Sequence, residues 1–325
     1  MRVLVTGASG LLGGAVAVRL AERGDDVTVF QRRSAGGSTA EVLGDVTDGD
    51  AVRRAVAGND AVVHLAARVS VTGPWAPFHE INVIGTQHLL DAAAAAGVSR
   101  FVHVSSPSVA HSGDSLVGAP AGPADPEHAR GNYARSKAEA EQAALAADRP
   151  GFAVVAIRPH LVWGPGDTQL VGRIVERARA GRLALVDRGA ALIDTTYIDN
   201  AADAMVAALD RAEDDQAHGQ AFVVSNGQPR TVAELVRLIC SAAGVDAPAR
   251  RVPYRVARAG GGLAELAWSA LGRTDDPPMT RFLAEQLATA HWFDQRRTHE
   301  VLRWRPAVDL DEGFRRLAAS FAAMP

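Results

Sequence analysis

Tyr133 and Lys137 are four residues apart in Tyr133-Ala134-Arg135-Ser136-Lys137. On a helix that spacing places phenol and ammonium on one face. A free phenol, with a pKa near ~10, is a poor proton donor at neutral pH. A neighbouring ammonium favours phenolate and tunes the group for proton transfer. Composition sharpens the signal. The chain has 34 basic residues, of which 33 are arginine and Lys137 is the single lysine, and it has three tyrosines. A lysine placed at random would fall four residues after a tyrosine in about 1% of cases. Arginine is planar and always charged, so a lysine surviving an arginine bias marks a place where a compact ammonium is needed. A third polar group is expected at the end of the preceding strand, in Phe101-Val102-His103-Val104-Ser105-Ser106-Pro107-Ser108. There a hydroxyl could stabilise charge developing on a substrate oxygen. Ser106 is the choice, with Ser105 and Ser108 as alternatives that bond backbone at the strand end.

A second constellation opens the chain, Thr6-Gly7-Ala8-Ser9-Gly10-Leu11-Leu12-Gly13 between a strand-like run and a helical pattern. Gly7 allows a tight turn, Gly10 lets backbone approach a pyrophosphate, and Gly13 permits close helix–strand packing. Eighteen residues beyond Gly13 comes Gln31-Arg32-Arg33. A carboxylate there would bind the ribose 2′-hydroxyl and favour NAD; Gln31 removes it, and Arg32 and Arg33 could pair with a 2′-phosphate. The reading favours NADP(H), with NAD(H) the alternative. Asp45 and Val46 fit the adenine, although Asp45 could instead cap the next helix. Ala66 and Ala67, closing the fourth strand, leave room for the cofactor.

These groups need a scaffold. Strands are expected at Arg2–Thr6, Asp26–Phe30, Glu41–Leu43, Ala61–Ala66, Arg100–Ser105 and Ala153–Arg158, and helices at Gly10–Arg23, Asp48–Ala57, Pro77–Ala96 and Gly131–Ala147. This alternation predicts βαβ units and a doubly wound parallel sheet of the Rossmann type. After Gly164 the alternation breaks. Residues 1–164 are read as the dinucleotide-binding domain, and 165–325 as a substrate region interleaved with the last sheet elements. Helices are expected there at Gln169–Ala180, Asn200–Arg211, Thr231–Ala243 and Leu263–Leu271.

The chain of 325 residues has a formal charge of −3, 47% hydrophobic residues and one cysteine. A disulfide scaffold and a multi-cysteine metal centre are excluded, and the charge gives no footprint for nucleic acid. The histidines lack metal-ligand spacing, so no metal is expected. No run reaches the roughly 18–20 apolar residues of a membrane span. With Met1 leading straight into a strand, a cytoplasmic protein is expected. Asp199 reads as a helix cap.

Together the glycine turn and the Ser106, Tyr133 and Lys137 set resemble the extended short-chain dehydrogenase/reductase superfamily over almost the whole chain. Asn82 in Ile81-Asn82-Val83 and Pro159 in Arg158-Pro159-His160 match further family positions. The resemblance implies that Pro159 lies near the nicotinamide and that Lys137 also bonds the nicotinamide ribose. Within the superfamily the chain resembles the 3β-hydroxysteroid dehydrogenase branch. Gly73-Pro74-Trp75, Thr195-Thr196-Tyr197-Ile198-Asp199-Asn200 and Pro277–Phe282 leading to His291-Trp292-Phe293 carry a narrower resemblance to the bacterial reductases of 2-alkyl-3-oxoalkanoates in long-chain olefin biosynthesis. The implied reaction is NADPH-dependent reduction of a 3-oxo group on an acyl-chain or sterol substrate. Its pocket is expected to use Val69, Val71, Trp75, Phe78, Leu161, Val162, Leu263 and Trp268. A 3β-hydroxysteroid dehydrogenase, a nucleotide-sugar epimerase with retained NAD and a non-catalytic NADP-binding sensor are the alternatives. The stretch Arg258–Arg273 could line an acyl-chain tunnel or touch a membrane. A homodimer, and association with neighbouring pathway enzymes, are left open.

Overall fold

The computed structural model describes residues 1–34, 39–70, 72–111, 113–271, 273 and 277–323. Seven parallel strands form the central sheet: β1 (Arg2–Thr6), β2 (Asp26–Gln31), β3 (Ala40–Leu43), β4 (Ala61–His64), β5 (Arg100–Val104), β6 (Ala153–Pro159) and β7 (Gln220–Val224). Their order is β7-β6-β5-β4-β1-β2-β3. The direction of winding reverses between β1 and β4, which opens a crevice at the carboxyl ends of the strands.

Alternate residues along each strand serve opposite layers. Val3, Val5, Val63, Val102 and Val155 pack with Val16 and Leu20 of the Leu11–Glu22 helix and Met205 and Leu209 of Ile198–Arg211. Leu4, Val62, Phe101 and Val154 pack on the other face with Val52, Leu89, Leu90 and Ala144. Burial on both faces explains why the strands read as continuous apolar runs. Each fully buried Val, Leu or Phe contributes about 1.5–3 kcal/mol, so both helical layers are held firmly.

Beyond residue 164, Ile198–Arg211 and β7 return to the central sheet. A smaller sheet is formed by Arg230–Thr231, Leu192–Ile193, His291–Phe293 and Leu116–Ala119 in that order. The predicted helix over Leu263–Leu271 begins earlier, at Tyr254, and ends at Ala270. The helix predicted as Pro77–Ala96 runs from Trp75 to Ala95, with a π turn over His79–Ile84. The Asn82 carbonyl in that turn accepts from Thr86 Oγ1 at 2.6 Å, an i−4 side-chain bond of the kind that perturbs helices. Asp199 does not cap: Tyr197 stands at the cap position, and Asp199 pairs with Arg316 at 2.9 Å. No helix among the described residues is long and apolar enough to cross a membrane.

Candidate active site

Thr6 ends β1 and sets the shape of the crevice. Its Oγ1 accepts from the Leu65 and Ala66 amides at 3.1 and 3.0 Å. These amides therefore leave the sheet, and β4 stops at His64 rather than at the predicted Ala66. Gly7 follows with φ +75°, and a Cβ on it would lie 2.8 Å from the Ala66 amide nitrogen. A Cβ on Gly13 would lie 2.3 Å from the Gly7 carbonyl oxygen. Only glycine fits either position. Gly10 caps the Leu11–Glu22 helix without a side-chain bond, and the first turn holds no acidic residue. The amides of Leu11, Leu12 and Gly13 at that terminus suit an anionic group.

A cleft of about 460 Å³ spreads from this turn, lined by Gly7, Gly10, Arg32, Asp45, Val46, Ala66 and Ala67 among others. Its volume and its chemistry fit a dinucleotide. Arg33 is exposed and is not part of the lining. Asp45 does not cap the next helix. Its Oδ1 accepts from the Thr47 amide and hydroxyl, both at 3.0 Å, while Asp48 caps Gly49–Val56. Gln31 is buried, and its side-chain amide donates to the Glu41 carboxylate on the neighbouring strand. Glu41 went unnoticed in the sequence, because only parallel pairing of β2 with β3 brings the two together.

Tyr133 and Lys137 lie on the Asn132–Ala146 helix. Two devices fix that helix against the sheet. Asn82 Nδ2 donates to Ser136 Oγ at 2.9 Å, while Asn82 Oδ1 accepts from the Arg68 amide at 2.7 Å. Glu141 and Arg158, 0% and 1% exposed, form a buried pair with bonds of 2.8 and 2.5 Å. Arg158 also donates to the Gly122 carbonyl at 2.7 Å.

Tyr133 is half-buried, and its phenol hydrogen-bonds Ser106. Burial raises its pKa and the Ser106 bond acts in the opposite direction. Ser106 bonds the Ser108 hydroxyl at 2.9 Å and accepts from the Ser108 amide at 3.2 Å. Ser105 is different: its hydroxyl is buried with no partner among the described residues, rather than bonding backbone as expected. Lys137 is buried, and its ammonium donates to the Val104 carbonyl at 2.7 Å. It also approaches His103 Nε2 at 3.5 Å. Burial brings the Lys137 pKa down to about 8, with Glu141 pulling it back up. The ammonium is thus directed at the end of β5. It is not among the groups that move Tyr133. His103 lies beside His64 in the sheet, with ring centroids 5.6 Å apart. Burial first, and the Lys137 charge second, hold His64 at about 3.

A second cavity of about 330 Å³ meets Ser106, Ser108, Tyr133 and Pro159. Of the expected pocket residues, Val69 and Leu161 line it. Phe78 is wholly buried, Leu263 is exposed, and Trp75 stacks under Arg135 at 4.1 Å. Val162 and Trp268 do not line it either, and Val71 lies outside the described residues. Phe282, Leu283 and Leu287 of the unanticipated Arg281–Ala288 helix supply the wall instead, with Ile193 and Phe293. Leu161 holds φ +42° at the rim. Among the described residues no group of three His, Cys, Asp or Glu is placed to hold a metal ion.

Residues 3–225 match the NAD dependent epimerase/dehydratase family. The 2-alkyl-3-oxoalkanoate reductase of Stenotrophomonas maltophilia is 42% identical over 331 residues, covering 99% of this chain and 100% of that protein. The 3 beta-hydroxysteroid dehydrogenase/Delta 5-->4-isomerase of Mycobacterium tuberculosis is 33% identical over 265 residues, 77% of this chain and 72% of that protein. In fold, the crystal structure of gox2253 superposes with a TM-score of 0.78 at 24% identity, covering 98% of this chain and 97% of that one. With residues 3–225 matched by the family and a 42% identical relative covered end to end, the chain belongs to the NAD-dependent epimerase/dehydratase family, within the extended short-chain dehydrogenase/reductases, and is an NAD(P)-dependent oxidoreductase.

Proposed function

We propose that the chain reduces the 3-oxo group of a long-chain 2-alkyl-3-oxoalkanoate with NADPH. The observation that carries this reading is the cavity beside Tyr133, walled by Leu161, Ile193, Phe282, Leu283, Leu287 and Phe293. An apolar wall of this kind gains about 0.8 kcal/mol per methylene buried. The 42% identical relative, a 2-alkyl-3-oxoalkanoate reductase, supports it. Arg32 in the cleft, with Gln31 where a carboxylate would favour NAD, supports the 2′-phosphate form.

When bound, the dinucleotide supplies the hydride. The glycine turn and the amides of Leu11, Leu12 and Gly13 would hold its pyrophosphate, with Asp45 and Val46 at the adenine. Ala66, Ala67 and Pro159 would flank the remainder. Lys137, held at the end of β5 by the Val104 carbonyl, is assigned to the nicotinamide ribose. Ser106 holds the substrate oxygen and Tyr133 donates the proton. The upward shift of Tyr133 keeps the phenol protonated at neutral pH, as a donor requires.

The test follows NADPH and NADH absorbance with 2-alkyl-3-oxoalkanoates of increasing chain length, a 3-oxosteroid and a UDP-sugar. Turnover should rise with chain length and be faster with NADPH. The steroid is the second reading, favoured by the 33% identical relative and the same apolar cavity. Turnover of the UDP-sugar alone would overturn both.

A further inference from the structure

Three histidines distant in the sequence meet on one wall of the substrate cavity: His111, His160 and His291. His111 and His291 pack edge to face with centroids 4.8 Å apart, and His160 lies 6.2 Å from His291. They are 5%, 8% and 2% exposed. Their bonds fix two of the tautomers. His160 Nδ1 lies 2.6 Å from the Asp194 carbonyl oxygen, which can only accept, so this nitrogen carries the proton and Nε2 keeps its lone pair. Thr289 Oγ1 gives its proton to the Glu285 carbonyl at 2.8 Å. Its 3.3 Å contact with His291 Nε2 must therefore receive a proton from the ring. His291 Nδ1 is left as an acceptor, buried and without a hydrogen-bond partner among the described residues; His111 Nδ1 is likewise unpartnered among them.

Other charges on the cavity share one sign. Arg130 and Arg173 line it, both already engaged, and no acidic side chain does among the described residues. Glu285 and Asp114 act on His111, opposed by Arg130. A purely apolar ligand would leave the imidazole nitrogens unsatisfied at about 1–3 kcal/mol each. An anion that arrives with a proton would satisfy them and complement the arginines.

We propose that His111, His160 and His291 form the head-group subsite for the carboxylate of the 3-oxo acid, which binds together with one proton taken from solvent by this cluster. The inference rests on the proposed function, in which one carbon separates that carboxylate from the carbonyl reduced beside Tyr133. Burial accounts for the coupling. It holds His160 at about 4 and His291 at about 3, and lowers His111. The rings are neutral at pH 7, and a buried carboxylate beside them raises their affinity for a proton. Binding should then weaken with rising pH, by up to about tenfold per unit above neutrality.

Isothermal calorimetry of the NADP⁺-loaded enzyme tests this at pH 7, with 3-hydroxytetradecanoic acid and its methyl ester in phosphate and in Tris. The acid should bind with uptake of close to one proton and at least about tenfold tighter than the ester. Under His111→Gln or His291→Gln that preference should collapse to under about threefold, with the melting temperature confirming that the variant is folded. Binding of the acid without proton uptake, as expected if Arg130 or Arg173 alone held it, overturns the subsite. Failure of the proposed function appears separately, as no NADPH oxidation with either the 3-oxo acid or its ester.

Discussion

Replacing Glu141 with Gln probes both the architecture and the chemistry of the Tyr133 helix. The change removes one charge of a fully buried pair and strands Arg158, whose other bond is to the Gly122 carbonyl. Breaking such a pair from one side typically costs about 3–5 kcal/mol, against a total stability of roughly 5–15 kcal/mol. At about 2 °C per kcal/mol for a chain of this size, the melting temperature should fall by about 6–10 °C. A second effect has its own sign. Glu141 raises the Lys137 pKa against burial, so its neutralisation lowers that value below about 8. In wild type, kcat/KM for reduction should decline above pH 8 as Lys137 loses its proton, while Tyr133, shifted upwards, stays protonated. In the variant that limb should move to lower pH. Scanning fluorimetry with saturating NADP⁺ and a pH–rate profile separate the two effects. The double variant Glu141→Leu, Arg158→Met should regain much of the stability but keep the displaced limb. A Glu141→Gln enzyme that melts within 1 °C of wild type and keeps its pH profile would refute the reasoning.

Tyr133→Phe should lower kcat by about 10²–10⁴-fold, the range for a lost acid catalyst, with dinucleotide binding retained by fluorescence titration. Lys137→Arg should also be severely impaired, because guanidinium cannot take the ammonium's place on the Val104 carbonyl. The pair Gln31→Asp, Arg32→Ala should shift cofactor preference from NADPH towards NADH by about tenfold to a hundredfold, the equivalent of 1.5–3 kcal/mol; a wild type that already prefers NADH in competition would remove Arg32 from that role. Acid should unfold the protein early. His64, His160 and His291 are held at about 3, 4 and 3, and His103 well below its ordinary value. Below pH 6.5 the unfolded chain binds protons that the native one refuses, so each ring costs up to about 1.4 kcal/mol per pH unit. The melting temperature should drop steeply between pH 6.5 and 5, and a flat profile would contradict the burial argument.

The strand–turn–helix at Gly7–Gly13 and the Tyr133/Lys137 helix were legible because their signals are local: glycine spacing, a four-residue repeat and apolar runs buried on two faces. Local rules failed where a side chain from elsewhere took over the backbone. Ala66 reads as strand until the Thr6 hydroxyl claims its amide. Asp199 reads as a cap until Arg316, over a hundred residues later, draws it away. The cavity wall was misjudged for the same reason. Trp75 and Leu263 carry the right chemistry, but the Arg281–Ala288 helix and the second sheet decide which apolar residues face Tyr133. Nothing in the spacing of His111, His160 and His291 announces a cluster. Asp194 assembles part of it, bonding His160 through its carbonyl and the His291 carbonyl through its amide at 2.9 Å.

Leu161 has a consequence for how the pocket could change over evolutionary time. A leucine in the left-handed region costs about 1–2 kcal/mol, and this one is held there while 40% of its surface meets solvent. Most substitutions that enlarge a binding cavity remove packed atoms, at about 2–5 kcal/mol. Glycine at 161 would relax the backbone while giving up about 0.5–1 kcal/mol of chain entropy, and the side chain it deletes is only half buried. Widening at this rim is therefore close to neutral for stability. Substrate range can drift there one residue at a time, while the inner wall around Ile193 and Phe293 stays fixed by the cost of hollowing it.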